Sequence, residues 1–260
     1  MVNRKISNTE YPLITIITVS YNAFDTIEST ILNVIGQSYP NIEYIIIDGG
    51  SNDGTIDIIK KYANNISYWI SESDRGIYDA MNKGIKVATG KWINFMNAGD
   101  IFYSSDTILN VSHFFVDAND LIYGKTNMVL PHGSFIRTCT SISSSNPMPF
   151  VHQSSFCKTE LLKKYYFSLD FKYAADYHFF NQIFGCTTAC YCNEIIATYS
   201  LDGISSHNSI RVNKERIASN PCWQNYWTQA LCYRNYWIKF FLKMLHIDVD
   251  VVKKYIYKTN

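Results

Sequence analysis

No CxxC pair occurs in this chain, although it carries seven cysteines, an odd number. That spacing excludes the common structural zinc site and argues against a disulfide framework, so a reducing cytoplasm is the expected setting. Neither GxGxxG nor GxxxxGK[ST] is present, which removes the glycine-rich phosphate cradles of dinucleotide-binding and P-loop proteins. No run approaches the ~18 apolar residues of a membrane span, and the opening MVNRKISNTEYP lacks an apolar segment of the signal-peptide kind. Any membrane contact is therefore expected to be peripheral, at an inner membrane face. Charge of one sign is also lacking. With 23 Lys and Arg against 22 Asp and Glu the net charge is +1, the basic clusters are too short for a tail, and nucleic acid is not an expected partner. No internal repeat is visible.

What is present is apolar: 47% of the 260 residues are hydrophobic and 17% charged, enough for one large domain or one domain with an extension. LITIITVSYN is a β-branched run that ends in polar residues, and in DTIESTILNVIGQ the residues Ile27, Ile31, Leu32 and Ile35 recur at helical spacing. IEYIIIDGG has the unbroken apolar content of a strand covered on both faces. SNDGTIDIIKKYA reads as a capped helix with Ile56, Ile58 and Ile59 inward. ISYWISE, DAMNKGIKVATG and KWINFMNAGD continue as strand, helix and strand, and the Ser-rich TSISSSNPMP reads as a loop. This βαβαβαβ alternation predicts an α/β fold: an open, mostly parallel, three-layer, Rossmann-like sheet with helices on both faces.

In such sheets ligands bind outside the carboxyl ends of the strands. Polar residues gather there: Ser20, Tyr21 and Asn22, then Asp48 and Ser51, then Asp74 and Arg75, then Asn97 and Asp100. Carboxylates repel phosphates unless a divalent metal lies between, so a nucleotide held partly through a metal is the economical reading. Asp48 has a second possible use, accepting hydrogen bonds from a base or ribose. Each residue taken singly has a plainer role. Asp53 and Asp100 read equally as turn residues satisfying backbone N–H groups, Ser20 as a strand-end hydroxyl, and Asp74 as a partner of Arg75.

PLITIITVSYN, IIIDGGSNDGT, ESDRGIYDAMNKGIKVATGKWINFMNAGD and YAADYHFF together resemble the inverting family 2 glycosyltransferases, which have a GT-A fold and use nucleotide-diphosphate sugars. The resemblance covers about residues 12 to 205 and is nearest to the branch that builds colanic-acid-like and other bacterial surface polysaccharides. It implies a catalytic domain over 1–210, with a nucleotide-sugar half at about 12–103 and an acceptor half at about 104–210, followed by a helical extension over 211–260. Thr18, Ser20, Tyr21, Asp48, Asp74, Asp79, Asn82, Lys83 and Asn97 are then donor contacts, the donor most simply a UDP-sugar. Asp100 stands where the family binds Mg2+ or Mn2+, and His207 lies where some relatives add a metal ligand, although a lone loop histidine is equally a solvated one. Asp176 matches the general base that inversion needs, with a helix N-terminal aspartate as its other reading. His152 and Gln153 resemble acceptor contacts, and a buried, hydrogen-bonded His152 is the alternative. The acceptor implied is a saccharide, free or lipid-linked. The chain departs from the pattern at Gly49, Gly99 and Ala175, each standing where the family often has an acid.

After the resemblance ends, Trp223, Trp227, Ala230, Leu231, Trp237, Ile238, Phe241, Leu242 and Leu245 keep helical spacing with Arg234, Lys239 and Lys243 interspersed. Such a stripe packs on the domain or a second subunit, or lies in a membrane interface. Two other functional classes compete. A nucleotidyltransferase calls for a glycine- and lysine-rich loop near the first strand, and TVSYNAFD has neither. A catalytically idle nucleotide-sugar-binding or scaffold protein fits the thinned acidic motifs, and donor turnover separates it from an enzyme.

Overall fold

The computed structural model describes residues 11–130, 133–200 and 209–244. The first apolar run forms β1 (Ile14–Ser20), buried along its whole length, and the second forms β2 (Ile42–Asp48). Between them lies α1 (Phe24–Ile35), which buries Ile27, Thr30, Ile31 and Val34. There follow α2 (Thr55–Lys61), β3 (Tyr68–Ser71), α3 (Ile77–Val87) and β4 (Trp92–Phe95). The strands pair in parallel in the order β3-β2-β1-β4, as the alternation requires.

Beyond β4 the sheet becomes mixed. The later elements are β5 (Ile101–Phe102), α4 (Thr107–Val111), β6 (Leu121–Leu130), β7 (Gly133–Arg137), β8 (Ser155–Lys158), α5 (Thr159–Tyr165), α6 (Ala175–Ile183) and β9 (Ala189–Ser200). Their order continues β4-β8-β6-β9-β5, with β7 on the side of β6. β8 runs antiparallel to both β4 and β6, whereas β9 is parallel to β6. β9 then meets β5 antiparallel, Thr198 opposite Ile101, and so ties the second half back to the segment just after Asp100.

Two cores cover the two faces, because successive strand side chains alternate. Ile45 and Ile47 face the core shared with Tyr78, Met81 and Ile85 of α3, Leu162 of α5 and Phe179 of α6. Tyr44 and Ile46 face the other, with Ile27 and Ile31 of α1, Ile59 of α2 and Ile108 of α4. Each such isoleucine contributes about 1.5–3 kcal/mol by burial. All seven cysteines are free, in keeping with the sequence reading.

Among the described residues the last two helices are α7 (Ser209–Ser219) and α8 (Trp223–Met244). The aromatic stripe does not dictate how α8 docks: Asn225 and Gln229 are buried, while Tyr226, Trp227 and Trp237 are about half exposed. Polar bonds set the orientation. Asn225 Nδ2 donates to the Tyr177 hydroxyl of α6 at 3.0 Å, and Asn213 of α7 meets Cys232 Sγ at 3.1 Å. No helix among the described residues is long and apolar enough to cross a membrane. Leu245 and His207 lie outside the described residues.

Candidate active site

The turn at the end of β2 is a knot of hydrogen bonds around one carboxylate. Asp48 is fully buried, and its oxygens accept from Ser20 Oγ at 2.9 Å, Ser51 Oγ at 2.5 Å and Ser71 Oγ at 2.7 Å. The backbone N–H groups of Gly50 and Ser51 add bonds of 3.1 and 2.8 Å. Burial pushes this carboxyl up, but the donors outweigh it and hold it below the ordinary aspartate value. Asp48 thereby ties the ends of β1, β2 and β3 together.

Asp53 performs the turn role open to it: it accepts from Phe24 N at 3.0 Å and from the N and Oγ1 of Thr55 at 3.0 and 2.6 Å. Above this base sit Tyr21, 67% exposed, and Asp74. They crowd Gly49 so closely that a Cβ there would lie 2.5 Å from Asp74 Oδ2 and 3.3 Å from the tyrosine ring. A side chain at position 49 would therefore require the end of the Asp74 side chain to shift. Asp74 Oδ1 accepts from Gly76 N at 2.8 Å, and no described donor reaches Oδ2.

Several expected donor contacts are occupied elsewhere. Thr18 is buried beneath the crevice, donating to Met96 O at 2.7 Å and meeting the Tyr44 hydroxyl at 3.0 Å. Asn82 uses both ends of its amide on Phe167, at 2.8 and 2.9 Å. Asp79 holds Arg75 through its backbone N–H at 3.0 Å and its guanidinium at 3.2 Å. Lys83 reaches Ser73 O at 3.0 Å and Glu72 at 2.9 Å, which braces the loop before α3.

The ends of β4 and α6 are joined by a short 3-10 turn, His152–Ser154, that precedes β8. Its backbone is fixed from beneath: Asn94 Nδ2 of β4 donates to Gln153 O and Ser155 O, both at 2.8 Å, and Thr126 of β6 meets Ser154 Oγ at 2.7 Å. Gln153 Nε2 then donates to Asp100 Oδ2 at 2.7 Å. His152 spans the gap, with Nε2 3.2 Å from Asn97 Nδ2 and Nδ1 3.2 Å from Asp176 Oδ2. An amide nitrogen only donates, so in the neutral ring Nε2 accepts from Asn97 and Nδ1 donates to Asp176; protonation of the ring keeps the Asp176 bond and adds a positive charge beside it.

Asp176 lies in the first turn of α6, whose N-cap residue Ala174 receives no side-chain cap, and the segment leading into the helix is held from α7. Glu215 of α7 accepts from the backbone N–H groups of Lys172, Tyr173 and Ala174 at 3.0, 2.8 and 2.9 Å. Asp176 accepts instead from the Tyr78 hydroxyl at 2.9 Å and from Tyr177 N at 2.8 Å. Burial raises its pKa, but His152, by hydrogen bond and charge, and then Arg216 reverse this, and the carboxyl ends below the ordinary value. Tyr78, pushed well up by burial and by Asp176, stays protonated and donates. Asp100 has the opposite balance: burial lifts it to about 6 against the Gln153 bond and the His152 charge.

Tyr78, Glu215 and Arg216 were not singled out from sequence. Tyr78 had a signal, since it stands four residues before Asn82 on α3 and both point toward the Phe167 segment. Glu215 and Arg216 had none.

The family model described as Glycosyl transferase family 2 matches residues 15–182, well over half of the chain. The chain belongs to that family. Over 122 residues it is 34% identical to a PGL/p-HBAD biosynthesis glycosyltransferase of Mycobacterium tuberculosis, covering 45% of this chain and 48% of that protein. Over 92 residues it is 40% identical to TuaG of Bacillus subtilis, named for teichuronic acid biosynthesis, covering 34% and 36%. The chain thus spans about half the length, or less, of these curated relatives. Among solved structures, S. aureus TarS bound to UDP-GlcNAc superposes with a TM-score of 0.65 at 17% identity, over 80% of this chain and 66% of that one. The mannosyltransferase PcManGT of Pyrobaculum calidifontis, bound to GDP-Man and Mn2+, gives 0.64 at 21%, over 81% and 64%. The fold of this family 2 chain is therefore the GT-A glycosyltransferase fold.

Proposed function

We propose that this family 2 chain is an inverting glycosyltransferase that moves a sugar from a nucleotide-diphosphate sugar to a saccharide or lipid-linked saccharide in cell-surface polysaccharide biosynthesis. The observation that carries this reading is the linkage of an ionised, partly exposed Asp176 to the Asp100 side of the crevice through one fixed turn, His152 and Gln153. The names of TuaG and of TarS with UDP-GlcNAc support the pathway class and a UDP-sugar donor.

In this reading the exposed ring of Tyr21 and the open oxygen of Asp74 receive the nucleoside, with Asp48 shaping the turn beneath them. The acceptor hydroxyl gives its proton to Asp176 as its oxygen bonds the anomeric carbon. The bond from that carbon to the diphosphate breaks on the opposite face, which inverts the centre. His152 and Tyr78 orient the carboxylate, and the low pKa of Asp176 keeps it ionised before each turnover.

A divalent Mg2+ or Mn2+ fits the residues at the end of β4. Asp100 is a desolvated carboxylate, and the buried Oδ1 of Asn97 and Oε1 of Gln153 have no donor among the described residues. These are oxygen ligands of the kind hard cations take. Gly99 occupies the remaining family acid position at φ +97°, a left-handed turn that favours glycine over aspartate. The described residues hold no cluster of three His, Cys, Asp or Glu, so protein ligands are few. Asp100, Asn97 and Gln153 would hold the ion, which would offset charge on the leaving diphosphate. PcManGT with Mn2+ lends support.

We place catalysis in the cytoplasm, at most peripheral to a membrane, with the donor half at 12–103, the acceptor half at 104–210 and α8 within the 211–260 extension. The test is a donor screen with mass detection of the product. Binding of UDP-sugars without transfer to any saccharide acceptor would instead favour an idle nucleotide-sugar-binding protein.

A further inference from the structure

The faces of α8 are reversed from those of an ordinary packed helix. Asn225, Gln229 and Cys232, spaced four and three residues apart, form a polar line turned toward the protein, where Asn225 bonds Tyr177, Cys232 meets Asn213 and Gln229 is buried. Tyr226, Ala230, Tyr233 and Trp237, spaced four, three and four apart, form a second line that solvent reaches, with Trp227 and Arg234 beside it. The four aromatic residues remain 50% (Tyr226), 55% (Trp227), 39% (Tyr233) and 52% (Trp237) exposed. A helix that docked by its apolar stripe would show the opposite.

Composition and charge say what this face suits. Tyrosine and tryptophan each carry a polar tip on an apolar ring, and a side chain with one apolar and one wet end belongs in the headgroup layer of a bilayer. No Asp or Glu occurs between Glu215 and Asp248, whereas Arg234, Lys239 and Lys243 all lie within α8. A second copy docking through the same face would bring these cations together with no acid of the helix to pair them. An anionic lipid surface meets the charge and the rings at once. Since no helix among the described residues is long and apolar enough to cross a membrane, the contact runs along the surface.

We propose that the face of α8 bearing Tyr226, Trp227, Tyr233, Arg234 and Trp237 seats this chain on an anionic lipid surface, with the rings in the headgroup layer and the cations against lipid phosphates. The contact itself does not depend on the enzymatic reading. Its consequence does. Asn225 Nδ2 fastens α8 to the Tyr177 hydroxyl of α6 at 3.0 Å, and Tyr177 follows Asp176 in the chain. Seating α8 therefore holds the helix of the proposed base at the bilayer, and of the two acceptors named above it selects the lipid-linked saccharide.

The experiment is co-sedimentation of the full chain with phosphatidylcholine vesicles, with and without phosphatidylglycerol, read with tryptophan emission and accompanied by UDP calorimetry and light scattering. The variants are Arg234→Gln and the pair Trp227→Gln with Trp237→Gln. Arg234→Gln removes charge alone and keeps the test decisive should the tryptophan pair fail to fold. The expected result is binding to the phosphatidylglycerol vesicles with a blue shift of the emission, weakened by salt, about fivefold weaker in Arg234→Gln and about tenfold or more weaker in the tryptophan pair. UDP affinity should be unchanged in both. A wild-type chain that sediments with neither vesicle, or variants that bind as well as wild type, would overturn the lipid contact. Equal binding to both vesicle types would overturn its anionic character. A wild-type dimer that the tryptophan pair converts to monomer, without vesicle binding, would assign the face to a second copy. Vesicle binding by a chain that binds no UDP would remove the donor reading while the lipid face stands.

Discussion

His152 Nδ1 lies 3.2 Å from Asp176 Oδ2, and its other ring nitrogen lies 3.2 Å from Asn97 Nδ2, so one imidazole links the end of β4 to the start of α6. Both side chains are 16% exposed, enough for an acceptor hydroxyl to approach and too little for bulk water to compete for the pair.

Removing the proton acceptor while keeping its shape isolates the chemical step. Asp176→Asn should lower turnover by about 10²–10⁴. UDP affinity by calorimetry should be unchanged, because none of the residues assigned to the nucleoside touches Asp176. Retained turnover would move the base elsewhere, with Asp170 and His178 the nearest alternatives in sequence.

His152 is a positioning residue in this scheme. His152→Ala frees Asp176 Oδ2 and Asn97 together, and loss of alignment of that size costs about 10² in rate. The fall should appear in kcat, with the KM for the donor little changed. A rise in donor KM alone would place His152 in the nucleotide site instead.

Asp48→Ala strands three hydroxyls and two backbone N–H groups, each an unmet donor. It should destabilise the chain by about 3 kcal/mol or more, measured by urea unfolding at neutral pH. The folded carboxyl titrates below the ordinary 3.8, so its stabilisation is fully present above that value and is lost as pH falls through the lower folded one. The gap between wild type and variant should therefore close only in acid. Weaker UDP binding with unchanged stability would return Asp48 to the role of a direct nucleoside contact.

Asp100 carries the reverse sign. Its folded pKa of about 6 exceeds the ordinary 3.8. Ionising it costs roughly 3 kcal/mol at about 1.4 kcal/mol per unit. In chelator, Asp100→Asn should raise the melting temperature above pH 6, by an amount that shrinks from pH 6 to 3.8 and vanishes below. The same variant should lose Mn2+-stimulated transfer. Full wild-type activity in excess chelator would exclude the metal role.

The exposed ring of Tyr21 offers a face to a base. Tyr21→Ala should weaken UDP binding by about threefold to tenfold, the size of one aromatic contact, without a change in stability.

Local chemistry was enough for the first half of the fold. The isoleucine-rich runs Ile14–Ser20 and Ile42–Asp48 form inner parallel strands, and helical spacing at Ile27 and Ile31 forms α1 over one face. The gathering of polar residues at strand ends followed from the same pattern. Tertiary structure decided which of those residues meet the crevice. Thr18 and Asp48 look outward in a one-dimensional reading, yet donors from other segments close over them, Ser71 reaching Asp48 from 23 positions away. Gln153 pairs with Asp100 across 53 positions and Tyr78 with Asp176 across 98. Periodicity carries no trace of such pairs, because a side chain's partners depend on strand order, and the antiparallel entry of β8 beside β4 is what delivers His152 and Gln153 to the site. For α8 the apolar stripe was legible but the docking was not: hydrogen bonds from Asn225 to Tyr177 and from Asn213 to Cys232 fix which face is buried, and they leave Trp227 and Trp237 about half exposed.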